Sequence, residues 1–348
     1  MTLFAAISLF LLLVAGSWLV GFPLRRWLTR AGVLDRPKAH SSHDRPVPRG
    51  GGLLVVIAFF GWFFLSSHDA MPGINWLAMG VAAVAFVSFL DDIRHRSRRL
   101  RFVVYTLAAA VFVGQLLLLD SVAAWGPTWL VAFVLWLWVA GYANAFNFID
   151  GIDGLAATQA IVALGFGAIF CTLASFSAWE LVSLQLVLAA VMMGFLFHNL
   201  PRAQLFLGDV GSIATGFLLA SIALIAGAEL GWKTGLMIAA LHLGPVLDTG
   251  ITLTRRLWQR KVIYDRHREF FFHRAVRSGR SHLFVTAVEM GIQVASGFLL
   301  LTFGIFWRDS TVALVAMIGV ISLAWLAFFF WCERQFRKAG EVTKEFIA

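Results

Sequence analysis

The chain has 348 residues, 60% of them hydrophobic and only 14% charged, with 33 Phe and 14 Trp and a mean hydropathy of +0.82. Soluble domains run at about 45–50% apolar and about 25% charged, so these values exclude disordered, fibrous and ordinary soluble chains. The formal charge is +9, from 28 Lys+Arg against 19 Asp+Glu; in so apolar a chain that excess reads as basic cytoplasmic loops, with no nucleic-acid partner expected.

Crossing a bilayer core takes about 20 apolar residues per helix. In chain order, eleven stretches approach that length: 3–22, 51–67, 74–90, 102–119, 128–146, 155–175, 180–198, 211–228, 232–253, 284–306 and 311–331. They predict an all-α polytopic integral membrane protein, read as a single membrane-embedded domain over 1–348. No basic residue precedes the first stretch and no small-residue cleavage pattern closes it, so it is expected as an uncleaved helix. With the N-terminus outside, 26 of the 28 Lys and Arg fall on one side, in 23–50, 91–101, 199–210, 254–283 and 332–348. That asymmetry puts the C-terminus in the cytoplasm, with Lys233 and Arg308 alone on the far side. Cys171 and Cys332 form no CxxC pair and read as packing residues.

The acidic clusters all fall at cytoplasmic helix ends, and the spans carry almost no charge at mid-depth, which weighs against an ion-coupled transporter. In 35–52 a proline-bearing loop ends in Gly50-Gly51-Gly52. It reads either as a linker into a close-packed span or as a phosphate cradle built from Arg45, Arg49 and backbone N–H groups. Asp91-Asp92 closes the third stretch and precedes the basic run 94–101. Adjacent carboxylates repel unless a cation sits nearby, and a divalent metal meets that need as well as solvation at a helix end does. In 144–155, Asn144, Asn147, Asp150 and Asp153 recur every three residues, with Gly151 and Gly154 loosening the helix for a ligand. At 206–212, F-L-G-D-V-G-S sets Asp209 between two glycines, either as a helix cap or as a hard oxygen ligand. In the last loop, 254–283, His267, Arg268 and His273 stand among many arginines and suit a diphosphate or lipid phosphate. No Walker A or G-x-G-x-x-G loop is present.

With these motifs in this order, the chain resembles the polyprenyl-phosphate N-acetylhexosamine-1-phosphate transferases, glycosyltransferase family 4. The likeness runs from about residue 35 to 285 and rests on Asp91-Asp92, N-x-x-N-x-x-D-G-x-D-G-L at 144–155 and F-L-G-D-V-G-S at 206–212. The stretch S-S-H-x-R-P-x-P-R-G-G-G at 41–52 is similar to the O-antigen-initiating subgroup. The resemblance implies Asp209 as the principal Mg²⁺ ligand, with Mn²⁺ able to substitute. It puts Asp91 and Asp92 around the metal and the lipid phosphate as catalytic residues, Asp92 also as a metal ligand. Asn147, Asp150 and Asp153, with Asn144, would line the nucleotide-sugar site. Phe206 would stack on the uracil, and Arg49, His267, Arg268 and His273 would hold phosphates. The peptidoglycan-precursor branch carries consecutive histidines in the last loop and a lysine after the acidic pair. This chain has H-R-E-F-F-F-H at 267–273, and Arg94, Arg96 and Arg98 near the pair.

The implied reaction moves a sugar-1-phosphate from a UDP-N-acetylhexosamine to undecaprenyl phosphate at the cytoplasmic face of a bacterial inner membrane and releases UMP. A polytopic transporter or flippase of lipid-linked sugars is the alternative, and a structural scaffold is the third class. Self-association as a homodimer is left open.

Overall fold

The computed structural model describes residues 3–37, 45–67, 71–94, 98–262 and 268–345. Helix α1 (Leu3–Arg30) leads to a small antiparallel pair, β1 (Leu34–Asp35) and β2 (Val47–Pro48), with Leu34 opposite Pro48. Then come α2 (Leu53–Leu65), α3 (Ile74–Arg94), α4 (Arg98–Leu116), the single turn α5 (Asp120–Ala123), α6 (Thr128–Ile149), α7 (Leu155–Ala174) and α8 (Trp179–Asn199). The chain ends with α9 (Gly208–Leu230), α10 (Trp232–Ala240), α11 (Leu243–Trp258), α12 (Phe271–Arg277), α13 (His282–Phe306) and α14 (Thr311–Glu345).

Helices dominate because no water in the hydrocarbon can satisfy a backbone N–H or C=O, so each segment must close its own hydrogen bonds. Among the described residues, nine helices are long and apolar enough to cross a membrane: α1, α3, α4, α6, α7, α8, α9, α13 and α14. The expected span 232–253 is broken into α10 and α11, bent by 67° at Leu241-His242. The expected span 51–67 is a helix of 13 residues, about 20 Å long and short of a core about 30 Å thick.

The core centres on α9. Every residue of its apolar window is buried, and α3, α6 and α10 pack around it. Small residues permit this. A Cβ added at Gly216 would stand 2.7 Å from Phe146 Cβ and 2.9 Å from Ala143 Cα, and one at Gly235 would meet Gly227 Cα at 2.7 Å. Between apolar helices in lipid, such close backbone approach replaces the hydrophobic drive that water would supply. The outer helices α1 and α14 instead turn Leu12, Leu323 and Phe330 outward, as a hydrocarbon-facing surface requires.

At one end of the bundle, Lys233 donates to the carbonyls of Arg308 and Asp309 at 3.2 and 2.6 Å, and Arg308 donates to the last carbonyls of α7. The two basic residues set apart by the loop pattern therefore meet there, Lys233 binding the turn after α13 and Arg308 the end of α7. The expectation of almost no charge at mid-depth concerns the middle of the spans; one buried acid lies nearer a helix end. Glu289 of α13, 3% exposed, lies two turns inside its helix and accepts from Gln159 Nε2 at 3.3 Å. Gln293 Nε2 donates to the carbonyls of Gln159 and Leu241, the latter at the α10–α11 break.

Gly216→Leu is expected to lower the stability of the detergent-solubilised protein by about 1–3 kcal/mol, because α6 must move away from α9. Thermal unfolding checks this; an unchanged transition would show that the contact yields freely.

Candidate active site

The site lies at the end of the bundle opposite Lys233 and Arg308. Its base is the segment 47–52. The amides of Gly50 and Gly51 donate to the Phe206 carbonyl at 3.1 and 2.9 Å, and that of Gly52 to Leu207 at 2.9 Å. The Phe206 amide returns to the Pro48 carbonyl at 2.9 Å. The phosphate-cradle reading of this glycine run is therefore corrected: its amides are already bound to the carbonyls of Phe206 and Leu207. Arg45 is exposed, and residues 41–44 of the motif lie outside the described residues. Phe206 is half-buried, with its backbone clamped from both sides.

Arg49 is anchored too. Its Nη2 donates to the Asp92 backbone carbonyl at 2.7 Å, and its Nε stands 3.5 Å from Asp92 Oδ1. The Asp92 side chain is 0% exposed. Its Oδ1 accepts the Asp209 amide at 3.3 Å and its Oδ2 the Val210 amide at 3.0 Å. These amides belong to the first turn of α9, where a helix has no partners of its own to offer. Gly208, at φ 76°, makes the turn into α9; a Cβ there would meet Asp92 Oδ2 at 3.0 Å and Gly50 N at 2.8 Å. Asp92 thus differs from the expected direct contact with metal: both oxygens are turned to the backbone.

Asp91 faces the other way. Its Oδ2 lies 3.1 Å from Arg101 Nη1, and the same guanidinium nitrogen pairs with Asp209 Oδ2. Asp91 Oδ1 is buried and accepts no hydrogen bond among the described residues. One cation bridges two carboxylates from different helices, at the point where hard oxygen donors would receive a divalent ion. Among the described residues no three His, Cys, Asp or Glu converge as a complete metal shell. Mg²⁺ commonly takes one or two carboxylates and completes its shell with water and substrate phosphates, so Asp91 and Asp209 fit that mode.

The 144–154 segment forms the adjoining wall. Asn144 and Asn147 lie half-buried one turn apart on α6, and Asn147 Oδ1 accepts from Ser212 Oγ at 2.6 Å. Asp150 ends α6, and burial pushes its carboxyl well above the usual range, with the charges of Asp92 and Asp153 adding to the rise. Asp153 Oδ2 lies 3.3 Å from His282 Nδ1, and the Asp153 carbonyl accepts from Thr286 Oγ1 at 3.0 Å. The amide of Gly154, at φ 77°, donates to Asn199 Oδ1 at 2.7 Å, and Asn199 Nδ2 donates to the Leu205 carbonyl at 2.9 Å. Buried Asn199 therefore ties the 150–154 loop to the 205–209 loop.

The last loop closes over this wall. His273 of α12 packs on Gly151, where a Cβ would stand 2.8 Å from its Nε2, and Phe270 packs on Phe148 with centroids 4.9 Å apart. Arg268 is half-buried; burial and the charge of Arg277 lower its pKa, and its Nη2 is buried with no partner among the described residues. His267 and Arg96 lie outside the described residues. Other arginines of this loop are structural. Arg256 pairs with Glu269 at 2.8 Å, and Arg255 and Arg274 pair with Glu333 of α14. Asp248 accepts the Phe271 amide on both oxygens at 3.0 Å and so caps α12.

Sequence reasoning did not single out Arg101, Asn199, Ser212 or His282 as site residues. Arg101 was one member of a basic run. Asn199 carried one signal, a polar residue closing an apolar span just before Pro201. His282 follows Ser281, whose Oγ caps α13 by accepting the Phe284 amide at 3.1 Å.

Asp150→Asn tests the wall. A carboxyl whose folded pKa is raised adds stability that is complete below its unfolded value and is lost as pH rises. In metal-free buffer, over the range above the unfolded carboxyl value of about 4, wild type is expected to lose thermal stability relative to Asp150→Asn as pH rises. A difference that stays flat across that range would show that the carboxyl is solvated.

The sequence of this chain is similar to those of known proteins. Residues 74–227, which hold Asp91, Asp92, the 144–154 wall and Asp209, match the family model for glycosyl transferase family 4. The probable undecaprenyl-phosphate N-acetylglucosaminyl 1-phosphate transferase of Bacillus subtilis is 28% identical over 266 residues, covering 74% of each chain. The decaprenyl-phosphate N-acetylglucosaminephosphotransferase of Mycobacterium tuberculosis is 26% identical over 355 residues, covering 88% of this chain and 83% of the relative. The phospho-N-acetylmuramoyl-pentapeptide-transferase of Heliobacterium modesticaldum is 31% identical over 240 residues, covering 63% of this chain and 72% of the relative. The chain that gathers these loops at one end of its bundle belongs to glycosyl transferase family 4, among the polyprenyl-phosphate hexosamine-1-phosphate transferases.

Proposed function

We propose that this protein transfers an N-acetylhexosamine-1-phosphate from a UDP-sugar to undecaprenyl phosphate, releasing UMP, at the cytoplasmic face of a bacterial inner membrane. The observation that carries the reading is the Asp91–Arg101–Asp209 constellation beside the 144–154 wall. The names of the relatives, all transferases acting on polyprenyl phosphates or on a phospho-sugar peptide, support the reaction class. The likeness of 41–52 to O-antigen-initiating enzymes favours a role at the start of a surface polysaccharide, with a 6-deoxy-N-acetylhexosamine among the candidate sugars.

The chemical difficulty is that two anions must approach each other. Mg²⁺ held by Asp209 and Asp91 would neutralise the nucleotide diphosphate and stabilise the leaving UMP. Arg101 adds a positive charge at the same point, and Arg268 of the last loop has a buried Nη2 with no partner among the described residues, suited to a phosphate oxygen. Asn144, Asn147 and Asp153 bind the nucleotide sugar, with Phe206 offering a ring to the base. Asp91 takes the remaining proton from the lipid phosphate. The second pKa of a phosphate monoester is about 6, so little base assistance is needed at neutral pH. An aspartyl-phosphate route is the alternative; exchange of labelled UMP into UDP-sugar without lipid is expected only for that route.

A second reading, transport of lipid-linked sugars, draws on the broken α10–α11 pair and the buried Glu289, features found where transporters bind cargo. One experiment separates the two. Purified protein with undecaprenyl phosphate, Mg²⁺ and a panel of UDP-N-acetylhexosamines is expected to release UMP, and Asp209→Asn is expected to reduce release to background. Substrate counterflow in vesicles without UMP release would instead favour transport.

A further inference from the structure

The fold treats the two neighbouring carboxylates of α3 differently. Asp91 is 10% exposed and shares Arg101 with Asp209, which is 21% exposed. Asp92 is fully buried and points at the start of α9. We infer that Asp92 is a positioning residue: it holds the first turn of α9, and through it Asp209, and touches neither metal nor substrate. This rests on Asp209 being the carboxylate that faces the metal.

The hydrogen-bond inventory of Asp92 carries the argument. One oxygen takes the Asp209 amide and the other the Val210 amide. A carboxylate on the free amides of a helix start is favoured twice, by charge-assisted hydrogen bonds and by the helix dipole. Arg49 completes the clamp, reaching both the backbone carbonyl and the side chain of Asp92. Gly208 leaves the carboxylate room to approach. Asp209 then has its own backbone amide bound to Asp92 while its side chain projects to Arg101. A rotation of this first turn would swing the Asp209 carboxylate away from Asp91. Asp248 shows the same device at a second place, with both oxygens on the Phe271 amide at the start of α12.

A cap and a ligand differ in what else is lost with them. Asparagine keeps one acceptor and sets its NH₂ against the other backbone amide, so replacing a cap loosens the helix start as it lowers metal affinity, whereas replacing a metal ligand leaves the helix start intact. Mn²⁺ binding followed by electron paramagnetic resonance reads the site without turnover. Asp92→Asn is expected to lower Mn²⁺ affinity by about tenfold and to speed hydrogen exchange in the 207–212 segment, because one backbone amide loses its acceptor and Arg49 its charged partner. Asp209→Asn is expected to lose Mn²⁺ binding. Asp92→Ala is expected to lower metal affinity and to speed hydrogen exchange in the 207–212 segment, and Gly208→Ala to do the same without removing any polar group.

Loss of Mn²⁺ binding in Asp92→Asn as deep as in Asp209→Asn, with unchanged exchange at 207–212, would overturn the inference. So would Gly208→Ala with wild-type metal affinity and exchange. If wild type itself binds no Mn²⁺, the metal reading fails separately, and turnover decides the role of Asp92. In that case retained turnover in Asp92→Asn, or lost turnover with faster exchange at 207–212, supports positioning, and lost turnover with unchanged exchange overturns it.

Discussion

The site depends on how one helix start is satisfied. Helix α9 runs through the middle of the bundle and begins at a buried turn, so its first amides need partners from elsewhere in the chain. Asp92 supplies them for Asp209 and Val210, and the 47–52 segment binds the carbonyls of Phe206 and Leu207 immediately before. Together these bonds fix where α3, β2 and α9 meet. The separation of Asp91 from Asp209 follows from that meeting, as does the place of Arg101 between them.

The same economy governs the rest of the end of the bundle that holds the site. In a low-dielectric bundle, an unpaired polar group is costly enough that side chains are recruited to loops and helix ends. Asn199 bridges two loops, Asp248 caps α12, and Thr286 and His282 bind the Asp153 turn. Rigid loops follow from this, and a reaction between two phosphates rewards rigid placement of charge. The central small residues contribute from within the bilayer: Gly216 against α6 and Gly235 against Gly227 let α9 stay close to its neighbours.

The cations divide into two groups. Arg49, Arg255, Arg256 and Arg274 are bound to backbone carbonyls or to Glu269, Glu333 and Asp92. Lys233 and Arg308 do similar work at the opposite end. Arg101 and Arg268 stand apart: one bridges the two acidic loops, and the other has a buried donor with no partner among the described residues. A positive-inside count registers all of these alike, because it sees charge and not partner.

The sequence by itself determined the helical class, the membrane setting and the loops that form the site. Hydropathy and motif spacing are local, and a stretch must be apolar along its own length to lie in lipid. Asp91, Asn147, Asp153, Asp209 and His273 were legible in the same way, as polar residues clustered at the ends of apolar runs. Only the tertiary structure decided which of two adjacent aspartates faces the site, since neighbours on a helix point about 100° apart. It also decided that the glycine run binds a loop and leaves no amides for phosphate, that a span expected to be continuous bends by 67°, and that Glu289 is buried beside Gln159. These outcomes rest on contacts between residues far apart in the chain, such as Arg49 with Asp92, Gly51 with Phe206 and Gln159 with Glu289. No local pattern encodes them, because the partner that satisfies a buried group comes from another helix.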